Sequence, residues 1–230
     1  YNTAAADVDK AFASIDEDFQ VPFQNTSAGS NPIFQFMRDR TDIRMSSTFV
    51  DELVNTNDPR LPFYVGPDIS GGFSGSSPGT ENSQASPPGD YVAAADAPVQ
   101  LANYTEMLFV KAECLFESGN SAGSLAAYKE GITQSLLKVT GETDSAYMAD
   151  NVTSVTDVTK QMIIEQKYKA LYGSVVPYDD WRRNGVPDLA PVVGATKATP
   201  VRFPYAQSEI TYNPNCPVGV NLSDKLWIFN

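Results

Sequence analysis

Three aromatic residues lie in or beside a segment rich in glycine, serine and proline, and they are well suited to contact a ligand. Tyr64 and Tyr91 flank the segment, and Phe73 lies within it. Such a composition buries too little apolar area for a core element, so residues 64–91 are expected to form a surface loop. Exposed rings on a long loop stack on the apolar faces of ligands such as sugars. The alternative is a loop that its own rings hold in place or that contacts another protein.

A second group of candidate binding residues is Trp181, Arg182 and Arg183. An indole face suits the apolar face of a pyranose, and guanidinium groups donate paired hydrogen bonds to hydroxyls or carboxylates. We favour a structural role instead. In that interpretation Trp181 packs on the preceding helix, while Asp179 and Asp180 are the partners of the two arginines.

Histidine is absent from the 230 residues, and its absence removes many catalytic mechanisms. The chain has no Ser-His-Asp or Cys-His machinery and no zinc site of the His-Glu-x-x-His type. Residues 75–79 match the G-x-S-x-G pattern, but they lie in the loop rather than between a strand and a helix. Acidic clusters at residues 7–9 and 16–18 could serve a carboxylate-dependent glycoside hydrolase, although a solvated helix face explains them better. We expect no catalytic residue, metal site or cofactor.

Composition indicates a globular domain that does not bind nucleic acid. A hydrophobic content of 42% in 230 residues is sufficient for a core. The chain has 16 Lys and Arg against 28 Asp and Glu, a net charge of −12, which argues against phosphate binding. Cys114 lies among apolar residues of a predicted helix, so we expect a free thiol there. Pairing of Cys114 with Cys216 stays open.

Apolar spacing predicts helices in the first half of the chain. A helix is expected over residues 4–19, where Val8, Phe12, Ile15 and Phe19 recur at helical intervals. Ser46 or Ser47 is expected to cap a short helix that ends before Pro59.

In the second half, residues 101–137 are expected to form two helices joined at Gly119, and the pair resembles one tetratricopeptide unit. Asp157 is expected to cap a third helix that extends to Tyr172. Beyond Gly173 we expect irregular structure with short strands at most. These expectations describe a mainly α fold with long irregular loops.

Four blocks in a fixed order resemble the SusD/RagB family of outer-membrane nutrient-binding lipoproteins. They are residues 57–61 (NDPRL), 104–113 (YTEMLFVKAE), 181–185 (WRRNG), and 202–205 (RFPY) with Glu209. The resemblance implies that Trp181, Arg182, Arg183, Arg202 and Glu209 form a structural signature. It also implies that residues 1–230 are the C-terminal portion of a SusD-like domain, with residues 157–230 as its last helix and irregular region.

The resemblance implies non-enzymatic capture of a nutrient for a SusC-like TonB-dependent transporter. A glycan is the favoured ligand, and a peptide is the alternative. The protein would lie on the cell surface at the outer membrane, lipid-anchored through residues outside this sequence. Other classes stay open: the helix pair alone would suit a tetratricopeptide-type adaptor, and a carboxylate-dependent hydrolase is the least favoured.

Overall fold

The computed structural model describes residues 1–152, 154 and 157–229, and its architecture is mainly helical. The helices are α1 (Asn2–Val8), α2 (Pro32–Asp39), α3 (Ser47–Asn55), α4 (Leu61–Tyr64), α5 (Asp90–Ala93), α6 (Tyr104–Glu117), α7 (Ser121–Thr140), α8 (Ser145–Asn151), α9 (Lys160–Ala170), α10 (Val176–Asn184) and α11 (Gln207–Tyr212). Two short strands, β1 (Phe19–Val21) and β2 (Val99–Ala102), pair antiparallel. The predicted mainly α fold with few strands is confirmed.

The helix pair α6 and α7 lies where the sequence predicted it. The Asn103 side chain caps α6 by accepting the N–H of Glu106 at 2.8 Å. Gly119 has φ +77° between the helices, a conformation that glycine adopts without strain. At Gly131 of α7 an added Cβ would lie 3.0 Å from the ring of Phe109 on α6. Glycine therefore allows the two helices to pack closely.

The apolar core is divided into two clusters. The first joins α6, α7, α8 and α9 through Phe109, Ala112, Leu125, Ala127, Tyr128, Ile132, Leu136, Tyr147, Val152, Val158, Ile163 and Ala170. The second packs α3, α4 and the end of α7 through Met45, Phe49, Val50, Leu53, Tyr64, Val65 and Val139. Ser46 precedes α3, so the predicted start of this helix is confirmed, but the Ser46 side chain makes no capping hydrogen bond. The second cluster positions the loop at 64–91.

The single helix predicted for residues 4–19 is wrong beyond Val8. Helix α1 ends at Val8, a 3-10 turn spans Ile15–Glu17, and Phe19 lies in β1 with an exposed ring. Ser14 has extended backbone (φ −158°), and its hydroxyl accepts the N–H two residues further on. This cap starts a new turn instead of continuing the helix.

The segment after Gly173 contains more helix than predicted, because α10 and α11 lie in it. Pro177 lies in the first turn of α10, where its missing N–H removes no helical hydrogen bond. The prolines of this segment are therefore compatible with helix. The helix before it, α9, begins at Lys160 and is capped by Thr159 rather than by Asp157.

Candidate functional site

Tyr64 is fully buried, so the expectation of an exposed ring there is wrong. Its ring centroid lies 4.9 Å from that of Tyr172 and 6.0 Å from that of Phe49. Burial raises the pKa of the Tyr64 phenol. The ring anchors the start of the loop to the second core cluster, as the alternative interpretation of the loop proposed.

Tyr91 and Phe73 differ in exposure. Tyr91 is half-buried, and its ring lies edge-on to Tyr64 at a centroid distance of 5.1 Å. Its burial raises the pKa of the phenol to about 12. Phe73 is 36% exposed, in a turn where the Asp68 carboxylate accepts two backbone N–H groups at 2.8 and 3.0 Å. Because Tyr64 has no exposed face, the three rings do not form one binding surface; a ligand contact at Phe73 stays a prediction.

The loop is folded onto the segment that precedes α3. Met45 donates its N–H to the carbonyl of Ser86 at 2.8 Å and accepts the N–H of Ser76 at 2.8 Å. Ser76 also accepts the N–H of Ser47 at 2.9 Å, and the Ser86 side chain is fully buried. The predicted surface loop thus contains buried residues, because its backbone polar groups are paired with the start of α3.

Gly75 lies at the closest approach of the loop to α3, where an added Cβ would lie 2.2 Å from the Cα of Ser47. We expect Gly75→Ala to lower the free energy of unfolding by about 1–3 kcal/mol, since the backbone must move to accept the methyl group. Gly72→Ala is the matched control, because its nearest neighbour would be an Asp68 carboxylate oxygen at 3.7 Å. Equal urea midpoints for both variants would contradict this close approach.

A groove of about 440 Å³ lies between the loop and the segment before α3. We call it the polar groove; it is lined by Asp42, Arg44, Met45, Ser46 and residues 76–83. Arg44 spans it, because Nε donates to the carbonyl of Ser83 at 3.1 Å and Nη1 to that of Ile43 at 2.9 Å. Hydroxyl, amide and guanidinium groups in this arrangement suit a ligand rich in hydroxyls.

A second space of about 280 Å³ adjoins the polar groove, and we call it the apolar cavity. Its walls are mainly aromatic and aliphatic: Ile43, Arg44, Met45, Ser46, Phe49, Pro88, Tyr168, Leu171, Tyr172, Gly173, Ser174 and Pro177. The ring of Tyr172 stacks on that of Phe49 at a centroid distance of 4.9 Å. This packing holds the aromatic wall in a fixed orientation.

A fully buried ion pair joins Asp58 to Arg60 at the start of α4. The Arg60 guanidinium donates to the two carboxylate oxygens at 2.9 and 2.6 Å. It also donates to Ser135 at 2.7 Å, Tyr147 at 3.1 Å and Gln166 at 3.2 Å. Burial alone would raise the pKa of the Asp58 carboxyl, but its hydrogen bonds to Arg60 and Tyr147 hold the pKa below 3.8.

Sequence reasoning missed the role of Arg60, although the block at 57–61 contains it. Asp58 and Arg60 lie in one short motif, whereas the other partners of the Arg60 guanidinium lie 75 to 106 residues away. The ion pair connects α4 with α7, α8 and α9. It positions the loop that follows α4.

The signature arginine Arg183 belongs to a second, partly buried charge network. It donates to both carboxylate oxygens of Glu113 on α6 and to Asp180 at 2.9 Å. Asp180 also pairs with Lys167 of α9 at 2.8 Å, and Lys160 lies 3.5 Å from Glu113. The hydrogen bonds that Arg183 donates to Glu113 raise the pKa of its guanidinium. The signature thus connects α10 to α6 and α9.

Trp181 and Arg182 precede Arg183 on the same helix. Arg182 pairs with Asp179, and its guanidinium carbon lies 4.7 Å above the ring of Tyr178. Together with the contact of Arg183 to Asp180, this confirms both predicted aspartate partners. Trp181 is half-buried and stacks on Tyr178 at a centroid distance of 6.1 Å. A ligand contact by these residues stays untested.

The remaining signature residues, Arg202 and Glu209, lie near the C-terminus. The Arg202 guanidinium lies 5.3 Å from the ring centroid of Tyr205, and Glu209 accepts the side-chain amide of Asn213 at 2.9 Å. Glu209 lies in the first turn of α11, where a negative charge is favourable. These local contacts give both residues a partner within their own segment.

Both cysteines are free and half-buried in the structure, and burial raises the pKa of the Cys114 thiol. The expectation of a free thiol at Cys114 is confirmed, and Cys216 is not its partner. Among the described residues, no three His, Cys, Asp or Glu side chains are arranged to hold a metal ion. None of the described helices has both the length and the apolar character that a bilayer crossing requires.

The fold and its loop define a helical scaffold with solvent-accessible grooves. Residues 2–206 match the SusD-like family, described as "Starch-binding associating with outer membrane". Because the match covers most of the chain, the protein belongs to this family. The resemblance in the four sequence blocks is confirmed. A comparison with curated proteins found no match.

Solved structures of SusD homologues share the fold. A chitin-binding homologue from Flavobacterium johnsoniae superposes with a TM-score of 0.72 at 24% identity, over 86% of this chain and 49% of its own. A homologue from Bacteroides fragilis superposes with a TM-score of 0.69 at 19% identity, over 88% of this chain and 53% of its own. A homologue from Bacteroides vulgatus superposes with a TM-score of 0.69 at 19% identity, over 82% of this chain and 47% of its own. The chain therefore spans about half the length of these structures.

Proposed function

We propose that the protein captures a nutrient glycan without covalent chemistry at the outer membrane and delivers it to a SusC-like TonB-dependent transporter. The match of residues 2–206 to a family described as starch-binding and associated with the outer membrane carries this proposal. Two similar solved structures are described as chitin-binding, which also supports a glycan ligand.

The polar groove is the part of this chain that we assign to glycan contact. Sugars present many hydroxyls and few charges, so a wall of short hydroxyl and amide side chains suits them. Ser77, Thr80, Asn82 and Ser83 supply such groups on one side of the groove, and Arg44 supplies a fixed donor. The charge of −12 further favours a ligand without carboxylates.

The arrangement of the whole protein stays a prediction. We assign residues 1–230 to the C-terminal portion of a SusD-like domain. We also assign surface exposure and lipid attachment to the full-length protein, with the anchor outside this sequence. Residues beyond this portion would supply further ligand contacts.

We expect calorimetry of the chain against starch and chitin oligosaccharides to detect binding, because the groove is formed by residues of this chain alone. Prolonged incubation of any bound sugar, followed by chromatography, should return it intact. A panel of short peptides tests the alternative cargo. Release of shorter sugars would overturn the non-enzymatic assignment, and binding of peptides without any glycan would replace the ligand class.

A further inference from the structure

The polar groove and the apolar cavity share one wall. Arg44, Met45 and Ser46 line both spaces, and both open to solvent. One side of the wall presents hydroxyl and amide groups, whereas the other presents aromatic and aliphatic side chains. A ligand that lies across the wall would contact both environments at once.

Three polar groups at the wall have hydrogen-bonding capacity that the protein leaves unused or weakly used. Two nitrogens of Arg44 donate to backbone carbonyls, and its Nη2 has no hydrogen-bond partner among the described residues. Ser46 precedes α3, but its hydroxyl makes no capping bond. The Tyr172 hydroxyl donates to the thioether sulfur of Met45 at 3.1 Å, and a thioether is a weak acceptor. Each of these groups can donate a hydrogen bond to an acceptor oxygen of a ligand at this wall.

The apolar cavity is suited to a small apolar group attached to such an acceptor. Its volume of about 280 Å³ is smaller than that of the polar groove. Phe49, Leu171 and Pro177 contribute apolar surface to its walls. A methyl or short acyl group gains free energy by leaving water for such a surface. A bare sugar ring, with hydroxyls around its rim, would leave polar groups without partners there.

Charge decides which acceptor fits. Asp42 and Glu81 line the polar groove together with Arg44. Asp42 is already paired with Arg40, so an anionic group near the Arg44 guanidinium would be repelled mainly by Glu81. The net charge of −12 adds to this repulsion. A neutral carbonyl oxygen accepts from Arg44 without that cost.

We propose that the shared wall recognises a sugar with a neutral acyl substituent, such as an acetamido group. The carbonyl oxygen accepts from Arg44 and the hydroxyls beside it, and the methyl group enters the apolar cavity. The hydroxyls of the sugar ring lie in the polar groove. This inference rests on the proposed glycan capture and names the ligand class of the same site.

Chitotriose and cellotriose provide the direct test, because they share length and linkage and differ in the acetamido group. We expect calorimetry to give a dissociation constant at least about tenfold lower for chitotriose, since both a charge-assisted hydrogen bond and methyl burial are lost in cellotriose. Equal affinities would overturn the acyl inference and leave glycan capture standing. Absence of binding to these trisaccharides and to starch oligosaccharides would overturn both.

Two variants locate the discrimination at the wall. Arg44→Ala should reduce the preference for chitotriose to about twofold or less, and Tyr172→Phe should weaken chitotriose about threefold while cellotriose is unaffected. Tyr172→Phe retains the ring that stacks on Phe49, so this variant should fold. It therefore tests the wall even if Arg44→Ala does not fold. Arg38→Ala is the matched control, because this exposed arginine pairs with Asp39 and lines neither space. An unchanged preference in both wall variants would overturn the assignment to this site.

Discussion

Replacing Arg60 with alanine is expected to lower the free energy of unfolding by about 3–5 kcal/mol, because it leaves the carboxylate of Asp58 buried without its cation. Both side chains of the pair are 0% exposed, so water cannot replace the guanidinium. The change also removes the donors to Ser135 and Gln166. Small domains are stable by only about 5–15 kcal/mol, so urea unfolding should show a large shift of the midpoint.

The pH dependence of unfolding tests the same pair. In the wild type, Asp58 has a pKa below 3.8, so its stabilising contribution is present above that value and is lost as the pH falls through the lowered pKa. Without Arg60, burial dominates and raises the pKa of the carboxyl. Acid unfolding of Arg60→Ala, followed by circular dichroism, should therefore begin at a higher pH than in the wild type.

Arg38→Ala is the control for this experiment, since it removes an arginine whose contact with Asp39 is exposed. Its unfolding curve should coincide with that of the wild type, because exposed ion pairs contribute little. If Arg60→Ala were as stable as this control, the buried pair would not be what holds α4 against α7 and α9.

Local signals in the sequence were sufficient for the helices that carry their own start and stop residues. Asn103 and Gly119 delimit α6, and Ser46 precedes α3, so these elements could be predicted. The mainly α fold follows from such helices and from the ordered blocks. Asp180 as a partner of Arg183 could also be predicted, because the two residues lie within one helical turn.

Long-range contacts explain what the sequence did not reveal. The helical spacing of Val8, Phe12 and Ile15 does not show that the following residues, Phe19–Val21, pair with Val99–Ala102. The burial of Tyr64 depends on Tyr172, which lies more than a hundred residues further along the chain. The polar groove likewise needs the loop to fold onto the segment before α3. Composition alone indicated a solvated loop, because it contains no information about these partners.

Asp180→Ala is expected to lower the free energy of unfolding by about 3 kcal/mol, because it breaks a buried ion pair. Asp180 accepts from Arg183 and pairs with Lys167, whose side chain is only 5% exposed. Removing the carboxylate leaves a buried ammonium group without its described ion-pair partner. Glu106 limits the loss. Burial raises the pKa of its carboxyl, the charge of Lys167 lowers it and that of Asp180 raises it, so removing Asp180 favours the charged carboxylate beside Lys167.

Asp39 provides the matched control, since its side chain is 65% exposed and that of its partner Arg38 is 47% exposed. Asp39→Ala should cost less than about 1 kcal/mol, because water replaces the lost carboxylate at the surface. Thermal unfolding of both variants measures the difference, and calorimetry with chitotriose should give wild-type affinity for Asp180→Ala below its melting temperature. A stable Asp180→Ala variant that no longer binds sugar would contradict the structural role and move the signature of α10 into the binding site.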